Sequence, residues 1–491
     1  MSLTDQVRRR KPLAAATTGA DEAGGLKRSI GTFQLTLFGV GATVGTGIFF
    51  VLAEAVPDAG PAVLVAFLIA GIAAGLSAVC YAEMASAIPV SGSTYSYAYH
   101  TLGEGVAMVI AACVLLEYGV STSAVAVGWS EYLNSLLAHT VGWQFPHALS
   151  YAPIPVDGVA GGIVNLPAII LVFMCMFLLM RGATESALVN TIMVMIKLGV
   201  LVMFAVIAFT AFQADRFANF WDAGAGGIST AASTIFFSFI GLDAVATAGE
   251  EVRNPQKALP RALMGALAIV IGVYLLVAAA GVGSQPLEAF SSEEQQSAGL
   301  SVILENITGS AVPAIILAAG AVISIFSVTL VTLYGQTRIL FAMGRDGVVS
   351  PRFARVSQRT MTPTFNTIVV SIVVALIAGF VPDTYLWDTV SIGTLIAFSV
   401  VAIGVVVLRR THPDLERPFR VPGYPVTPVL TVVLCAYILW GLPLHTWLVF
   451  GVWLAVVLAF YLFWGRRHAV LGRQPAPPGD DVADDRNGVT R

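Results

Sequence analysis

The sequence predicts an all-α integral membrane protein with 12 transmembrane helices. Three observations carry this. Of its 491 residues, 57% are hydrophobic and only 11% are charged, against about 25% charged in an ordinary soluble chain. Apolar runs of about 18–25 residues, enough to cross a bilayer as a helix, recur from end to end. Basic residues fall almost wholly on one side of the topology those runs imply. A soluble fold of this size could not cover so much apolar surface, so the bilayer has to be the solvent.

The runs cover residues 33–56, 61–87, 104–137, 163–180, 188–213, 229–250, 260–283, 311–343, 364–381, 386–408, 427–443 and 446–464. The third and eighth are longer than a bilayer requires and are expected to tilt or to extend past it. Twelve is an even number, so both termini share a side. With that count, 24 of the 26 Lys and Arg residues fall on the terminal side; Lys197 lies inside span 5 and Arg216 falls opposite. The loops 142–162 and 284–310 contain neither Lys nor Arg. The positive-inside rule then puts both termini in the cytoplasm. Miscounting by one helix would scatter the charges over both faces.

The ends, residues 1–28 and 467–491, are polar, charged or proline-rich, and are expected to be disordered and cytoplasmic. The first apolar run is long enough to span, so no secretory signal is read. Cys80, Cys113, Cys175 and Cys435 all lie within apolar segments and read as small core residues. Trp440, Trp447 and Trp464 suit interfacial anchors. The net charge of −3 gives no argument for a nucleic-acid partner, and none is expected.

Two spans are interrupted. The first reads Leu35-Thr-Leu-Phe-Gly39-Val-Gly41-Ala-Thr43-Val-Gly45-Thr46-Gly47-Ile-Phe49, and the sixth Ile235-Phe-Phe-Ser-Phe-Ile-Gly241-Leu-Asp243. A break at membrane depth frees backbone N–H and C=O groups, and survives only where it is buried in protein or lines a cavity. Breaks in matching positions of two halves point to a transporter's substrate site. They suggest two five-helix halves of opposite orientation, residues 29–215 and 216–410, followed by two further helices within 411–466. A helix restarting at Gly45-Thr46-Gly47 would offer unpaired N–H groups and the positive end of its dipole to a carboxylate, with the Thr46 hydroxyl as a further donor. The bland alternative is close helix packing through Gly41 and Gly45. A nucleotide fingerprint fits worse, because the spacing is GxGxxxG and no strand precedes it. The second break would expose carbonyls near Phe239-Ile240-Gly241 that, with the Thr43 carbonyl, could accept from an ammonium group.

Glu117, Lys197 and Asp243 lie deep in apolar spans. Each costs at least about 2.5–3.5 kcal/mol at the bilayer centre, so each needs a partner or a wet cavity. Lys197 is either a proton switch or one half of a permanent pair with Glu117 or Asp243. Asp243 either braces the unwound backbone or meets the substrate. Glu117 orients substrate or shares a proton with Asp243. Glu83, Glu250 and Glu251 lie near helix ends and suit gates or loop ion pairs. No zinc spacing, nucleophile elbow or phosphate loop is present, so an enzyme is not expected, and neither is a metal or cofactor.

The run Phe236 to Pro260, FFSFIGLDAVATAGEEVRNPQKALP, resembles the sixth helix and following loop of the cationic amino acid transporter subfamily, within the amino acid–polyamine–organocation superfamily. Gly45-Thr-Gly-Ile-Phe49, Leu116-Glu117-Tyr118, Pro89 to Tyr95 and Gly335 to Gly347 are also similar to it. The resemblance implies a leucine-transporter-like 5+5 inverted repeat with discontinuous helices 1 and 6, plus two extra helices. It implies an L-amino acid substrate, with its carboxylate on Thr46 and Gly47 and its amine on carbonyls of Thr43, Phe237 and Ile240. Gly45, Glu117 and Asp243 complete the expected substrate site, with selectivity set by Ser327 to Thr332. It implies a proton as the coupling ion, with Lys197 where sodium-coupled relatives bind a cation. The expectation is a proton-coupled symporter of cationic or small neutral L-amino acids, working by alternating access in the plasma membrane. A proton-independent exchanger and a poorly transporting sensor are the alternatives. The sequence says nothing of an accessory membrane subunit.

Overall fold

The computed structural model describes residues 7, 9–12, 28–155, 161–292, 299–440 and 444–470. Helices account for most of the described backbone. The first break divides α1 (Thr32–Thr43) from α2 (Thr46–Ala59), and a turn at Gly60-Pro61 leads into α3 (Val63–Ala87). The short α4 (Ser93–Thr101) precedes the long α5 (Glu104–Val141). Then come α6 (Leu166–Arg181), α7 (Ala183–Thr210), α8 (Gly224–Phe236), α9 (Ala244–Thr247) and α10 (Pro255–Ser284). They are followed by α11 (Leu300–Thr308), α12 (Ala311–Arg345), α13 (Thr364–Phe380), α14 (Asp383–Thr411), α15 (Val426–Trp440) and α16 (Leu444–Phe460).

Every apolar run of the sequence falls on one of these helices or, for the two interrupted runs, on a pair. Among the described residues seven helical stretches are long and apolar enough to cross a membrane, and three shorter apolar helices accompany them. The chain is thus an all-helical membrane protein. α5 and α12, at 38 and 35 residues, are the two long helices expected. α12 carries Arg338 and Arg345 in its last two turns.

Local chemistry sets the ends. Asn165 caps α6 by accepting from the Ala168 N–H at 3.2 Å, with Pro167 in the first turn. Pro260 lies inside α10, in its second turn, so that helix starts at Pro255 and not near 260. Two elements were not expected. α4 is too short and polar to register as an apolar run, yet is buried throughout. α11 lies in the loop 284–310 and buries Leu300, Ile303 and Leu304 on one face.

The core is apolar and dense with small residues, while side chains such as Phe177, Val206 and Val433 are exposed on the outer surface, as suits a lipid solvent. All four cysteines are buried and free. The tail from 471 and most of 1–27 lie outside the described residues. Residues 9–12 correct part of the expected disorder. The Arg9 carbonyl accepts from the Glu104 N–H at 2.9 Å, and the Lys11 ammonium bonds the Asp346 carboxylate at 2.6 Å. A basic segment meets two buried acids at the same end of the bundle, and this outweighs its polar composition.

Candidate functional site

Val44 and Gly45 separate α1 from α2. The last carbonyls of α1 lose their intrahelical partners there. Lys197 on α7 supplies donors instead: its ammonium bonds the Gly41 carbonyl at 2.9 Å and the Val44 carbonyl at 2.6 Å. The Ser324 hydroxyl on α12 donates to the same Val44 oxygen at 3.0 Å. Asn190, one helical face along from Lys197, donates to the Leu37 carbonyl at 3.3 Å and accepts from Ser327 at 2.7 Å. The positive group thus sits at the negative end of the α1 dipole. On the other side of the break no side chain caps α2, and Gly45, Thr46 and Gly47 line a cavity.

α8 ends at Phe236, a 3₁₀ turn covers Phe237–Phe239, and the chain turns through Asp243 before α9. Gly241 has φ +103°, and a Cβ there would lie 2.8 Å from the Ala42 carbonyl oxygen. Only glycine combines that dihedral with that approach. The two breaks are therefore in backbone contact. Tyr274 on α10 joins them, its hydroxyl directed at the Thr43 carbonyl (3.1 Å) and the Ser238 carbonyl (2.9 Å).

The cavity between the breaks measures about 50 Å³. Thr43, Gly45, Thr46 and Gly47 line it from the first break; Ser238, Ile240 and Gly241 line it from the second. α5 contributes Glu117, Tyr118, Ser121 and Val125; α12 contributes Val328 and Thr332; α14 contributes Val390. Its walls thus combine backbone polar groups from the two breaks with three valines.

The structure brings Thr43, Gly45, Thr46, Gly47, Glu117 and Ile240 together on this cavity. Asp243 is not among them. It lies behind Tyr118, whose hydroxyl donates to its Oδ2 at 2.6 Å, and lines a smaller void with Tyr81, Leu242 and Phe398. The Phe237 backbone lies in the 3₁₀ turn, but its side chain lies outside the described residues. Lys197 stands on the far side of the first break and does not line the cavity. Its partners are carbonyls, so the pair with Glu117 or Asp243 is not formed. Glu117 Oε2 and Asp243 Oδ1 are buried without a hydrogen bond.

Glu83, Glu250 and Glu251 each form ion pairs. Glu251 meets Arg338 at 2.6 Å, Glu250 meets Arg345 at 2.8 Å, and Glu83 meets Arg409 at 2.5 Å. The first two tie the segment after α9 to α12. The backbone N–H groups of Ser29 and Ile30 donate to the Glu251 carbonyl, which fastens the start of α1 to the same point.

A family model described as Amino acid permease matches residues 30–464. The chain belongs to the amino acid permease family. This permease is 39% identical to the "Methylthioribose transporter" of Bacillus subtilis (strain 168) over 466 residues, 95% of this chain and 99% of the relative. It is 40% identical to the "Branched-chain amino acid permease BcaP" of the same organism over 461 residues, 94% and 97% of the two chains. It is 37% identical to the "Cationic amino acid transporter 2, vacuolar" of Arabidopsis thaliana over 418 residues, 84% of this chain and 64% of that protein. Membership of the amino acid–polyamine–organocation superfamily is thus shown. The bacterial permeases match over more of their length than the cationic transporters to which the motifs pointed. A permease of this family is a transporter and not an enzyme.

Tyr274, Ser121, Val125 and Val390 are cavity or bracing residues that the sequence did not mark, while Tyr118 and Ser238 stood only within motifs and were given no role. Tyr118 adjoins Glu117, and its polar hydroxyl within an apolar span was the available signal. Thr332 and Val328 lie in the stretch of span 8 expected to set selectivity.

Gly241→Ala tests the contact between the breaks. It should lower stability by at least about 1 kcal/mol, because the dihedral disfavours any Cβ, and it should abolish substrate binding by pushing the Ala42 carbonyl away. Thermal unfolding and equilibrium binding of the purified variant read both; wild-type binding in the variant would show that the breaks need not touch.

Proposed function

We propose that this permease is a proton-coupled symporter of neutral L-amino acids that works by alternating access. The observation that carries the reading is the meeting of two helix breaks at one cavity, with an uncapped helix N-terminus on one wall and turn carbonyls on the other. A carboxylate suits the N–H groups of Gly45 to Gly47 and the Thr46 hydroxyl. An α-ammonium suits the carbonyls of Thr43 and Ile240. The side chain would project towards Val125, Val328 and Val390, which favours an apolar group such as a branched chain; the name of the Bacillus relative BcaP points the same way. The expected carboxylate site at Thr46 and Gly47 is retained in this proposal.

Packing supports a 5+5 inverted repeat. α2 packs on α8, α3 on α10, α5 on α12 and α6 on α13, so four of the five early spans lie against their counterparts five spans later. An axis in the membrane plane would produce that pairing. Lys197 is the coupling group of this proposal. Its charge fastens the end of α1; loss of the proton on the cytoplasmic side would loosen α1 and open the cavity inward. Both termini are assigned to the cytoplasm on the strength of the charge bias.

A second reading keeps a cationic substrate, because Glu117 lines the cavity and its buried Oε2 has no hydrogen bond. Radiolabelled uptake into proteoliposomes separates the readings: alanine, leucine, methionine, arginine, lysine and methylthioribose, with and without an imposed proton gradient. Gradient-dependent uptake of leucine or methionine is the expected result. Arginine uptake alone would move the assignment to the cationic class. Uptake that needs preloaded amino acid and ignores the gradient would make the protein an exchanger. Methylthioribose without amino acid uptake would overturn the carboxylate site, since that sugar carries no carboxylate.

A further inference from the structure

Away from the substrate cavity, the end of α14 and the loop joining it to α15 (residues 412–425) border an open cavity of about 170 Å³, lined by Arg409, Pro413, Arg417 and Arg420. The arginines differ in role. Arg409, in the last turn of α14, forks onto the buried Glu83 of α3 through Nε (2.8 Å) and Nη2 (2.5 Å), and its guanidinium lies over the Tyr424 ring at 4.2 Å. Arg417 is buried and holds the loop: its Nη atoms donate to the carbonyls of Leu408, His412, Pro413 and Leu415, while its Nε stands 3.6 Å from Glu83 without a hydrogen bond. Arg420 is exposed and forms no ion pair among the described residues.

The charges do not balance. Glu83 answers one of the two arginines set on it, and its Oε2 also accepts from the Val421 N–H at 2.6 Å. Arg420 adds another positive charge to the rim. Asp414 and Glu416 lie on the same loop but are exposed and do not line the cavity. Burial holds the Arg417 guanidinium below its ordinary range; Glu83 works the other way, and the charges of Arg409 and Arg420 add to the lowering. A concave site with surplus positive charge suits a phosphate; Arg409 and Arg417, whose forks are held by Glu83 and by loop carbonyls, contribute charge, and Arg420 is the arginine left to bind in forked geometry.

The surroundings choose the source of that phosphate. α15 starts directly after the loop, and Val426, Val429, Leu430, Val433 and Tyr437 form an exposed apolar stripe at helical spacing along it. The stripe runs from the cavity rim into the apolar layer, where an acyl chain would lie. Basic pockets between helices on the cytoplasmic side bind the headgroups of anionic lipids.

We propose that the cavity of Arg409, Arg417 and Arg420 is a binding site for the phosphate of an anionic phospholipid, with its acyl chains along the exposed face of α15. The site ties α3, through Glu83, to α14 and α15. An occupied headgroup neutralises the surplus charge and braces this corner of the bundle. The proposal is independent of substrate and coupling ion.

The test uses the full chain, purified and delipidated in detergent. It is titrated with phosphatidylglycerol, phosphatidylcholine or inorganic phosphate, and thermal unfolding and native mass spectrometry are read. Phosphatidylglycerol should raise the melting temperature and stay bound in the mass spectrum, and phosphatidylcholine should not. Arg420→Gln removes a charge that no ion pair needs, so the fold is kept; it should weaken phosphatidylglycerol about fivefold, the effect of one basic residue at a charged lipid surface. Arg359→Gln, an exposed arginine outside the cavity, should leave it unchanged. Equal binding of both lipids, an unchanged Arg420→Gln, or an equal loss in Arg359→Gln would each overturn the site. A shift reproduced by inorganic phosphate alone would overturn the lipid and leave a soluble anion.

Discussion

Lys197→Met should remove the pH dependence proposed for uptake, while substrate binding should persist at reduced affinity. Lys197 is fully buried, and its bonds run to the Gly41 and Val44 carbonyls and not to a carboxylate. Its charge is therefore answered by carbonyl dipoles and not by an opposite charge, and the proposed coupling role requires it to change protonation state during the transport cycle. Methionine fills a similar volume but returns the Gly41 carbonyl to an unpaired state, at about 1–3 kcal/mol for a buried acceptor. Val44 keeps the Ser324 hydroxyl, so α1 is loosened without being released. Lys197→Arg is the sharper companion. Arginine keeps the charge and the donors but does not release its proton. A purely structural lysine would tolerate it, whereas a switching lysine would not. Uptake in proteoliposomes across a range of pH gradients should be flat for both variants. Gradient-driven uptake in Lys197→Arg at the wild-type level would end the coupling role.

Arg338→Met should cost about 3–5 kcal/mol, the range for breaking a buried ion pair from one side. Arg338 and Glu251 are each 1% exposed and meet at 2.6 Å. The guanidinium also lies 4.0 Å over the Tyr334 ring and donates to the Thr337 hydroxyl. Without it, the Glu251 carboxylate stays buried and uncompensated. The double variant Arg338→Met/Glu251→Gln removes both charges, and its stability should return most of the way to wild type. Thermal unfolding of the four proteins forms a double-mutant cycle. Strictly additive losses would show that the two groups do not depend on each other. The pair also fastens the segment after α9 and the start of α1 to α12, at the end proposed to face the cytoplasm. The double variant should therefore be stable yet leak substrate more readily, because only the partly exposed Glu250–Arg345 pair then ties the segment after α9 to α12 by charge.

Much of the fold was legible because hydrocarbon leaves a chain few choices. Each run of apolar residues had to become a helix, and each does. The breaks were legible for the same reason. Gly41, Gly45, Gly47 and Gly241 stand where only protein contact could satisfy freed backbone groups. Each has a neighbour that a Cβ would strike: Asn190, Val328, Ser238 and the Ala42 carbonyl. α4 and α11 were missed because burial by neighbouring helices, not apolar length, makes them helical. The N-terminal residues 9–12 were misread because the acids that hold them, Glu104 and Asp346, lie far along the chain.

The site was legible in its backbone and not in its partners. Glu117, Lys197 and Asp243 announced themselves as costly charges in apolar spans, but cost alone does not say who answers it. The sequence allowed a Lys197 pair with a carboxylate; the fold gave the lysine to two carbonyls and Asp243 to the Tyr118 hydroxyl. Tyr274, which holds both breaks with one hydroxyl, carried no signal, since an aromatic residue in a membrane helix is ordinary. By itself the sequence determined a helical membrane chain with two interrupted spans, because transfer of apolar surface and of backbone polar groups into lipid depends on local composition. Only the tertiary structure decided which groups share the cavity and which face carries the arginine cluster, because hydrogen bonds and ion pairs act over about 3–4 Å between residues that the chain holds far apart.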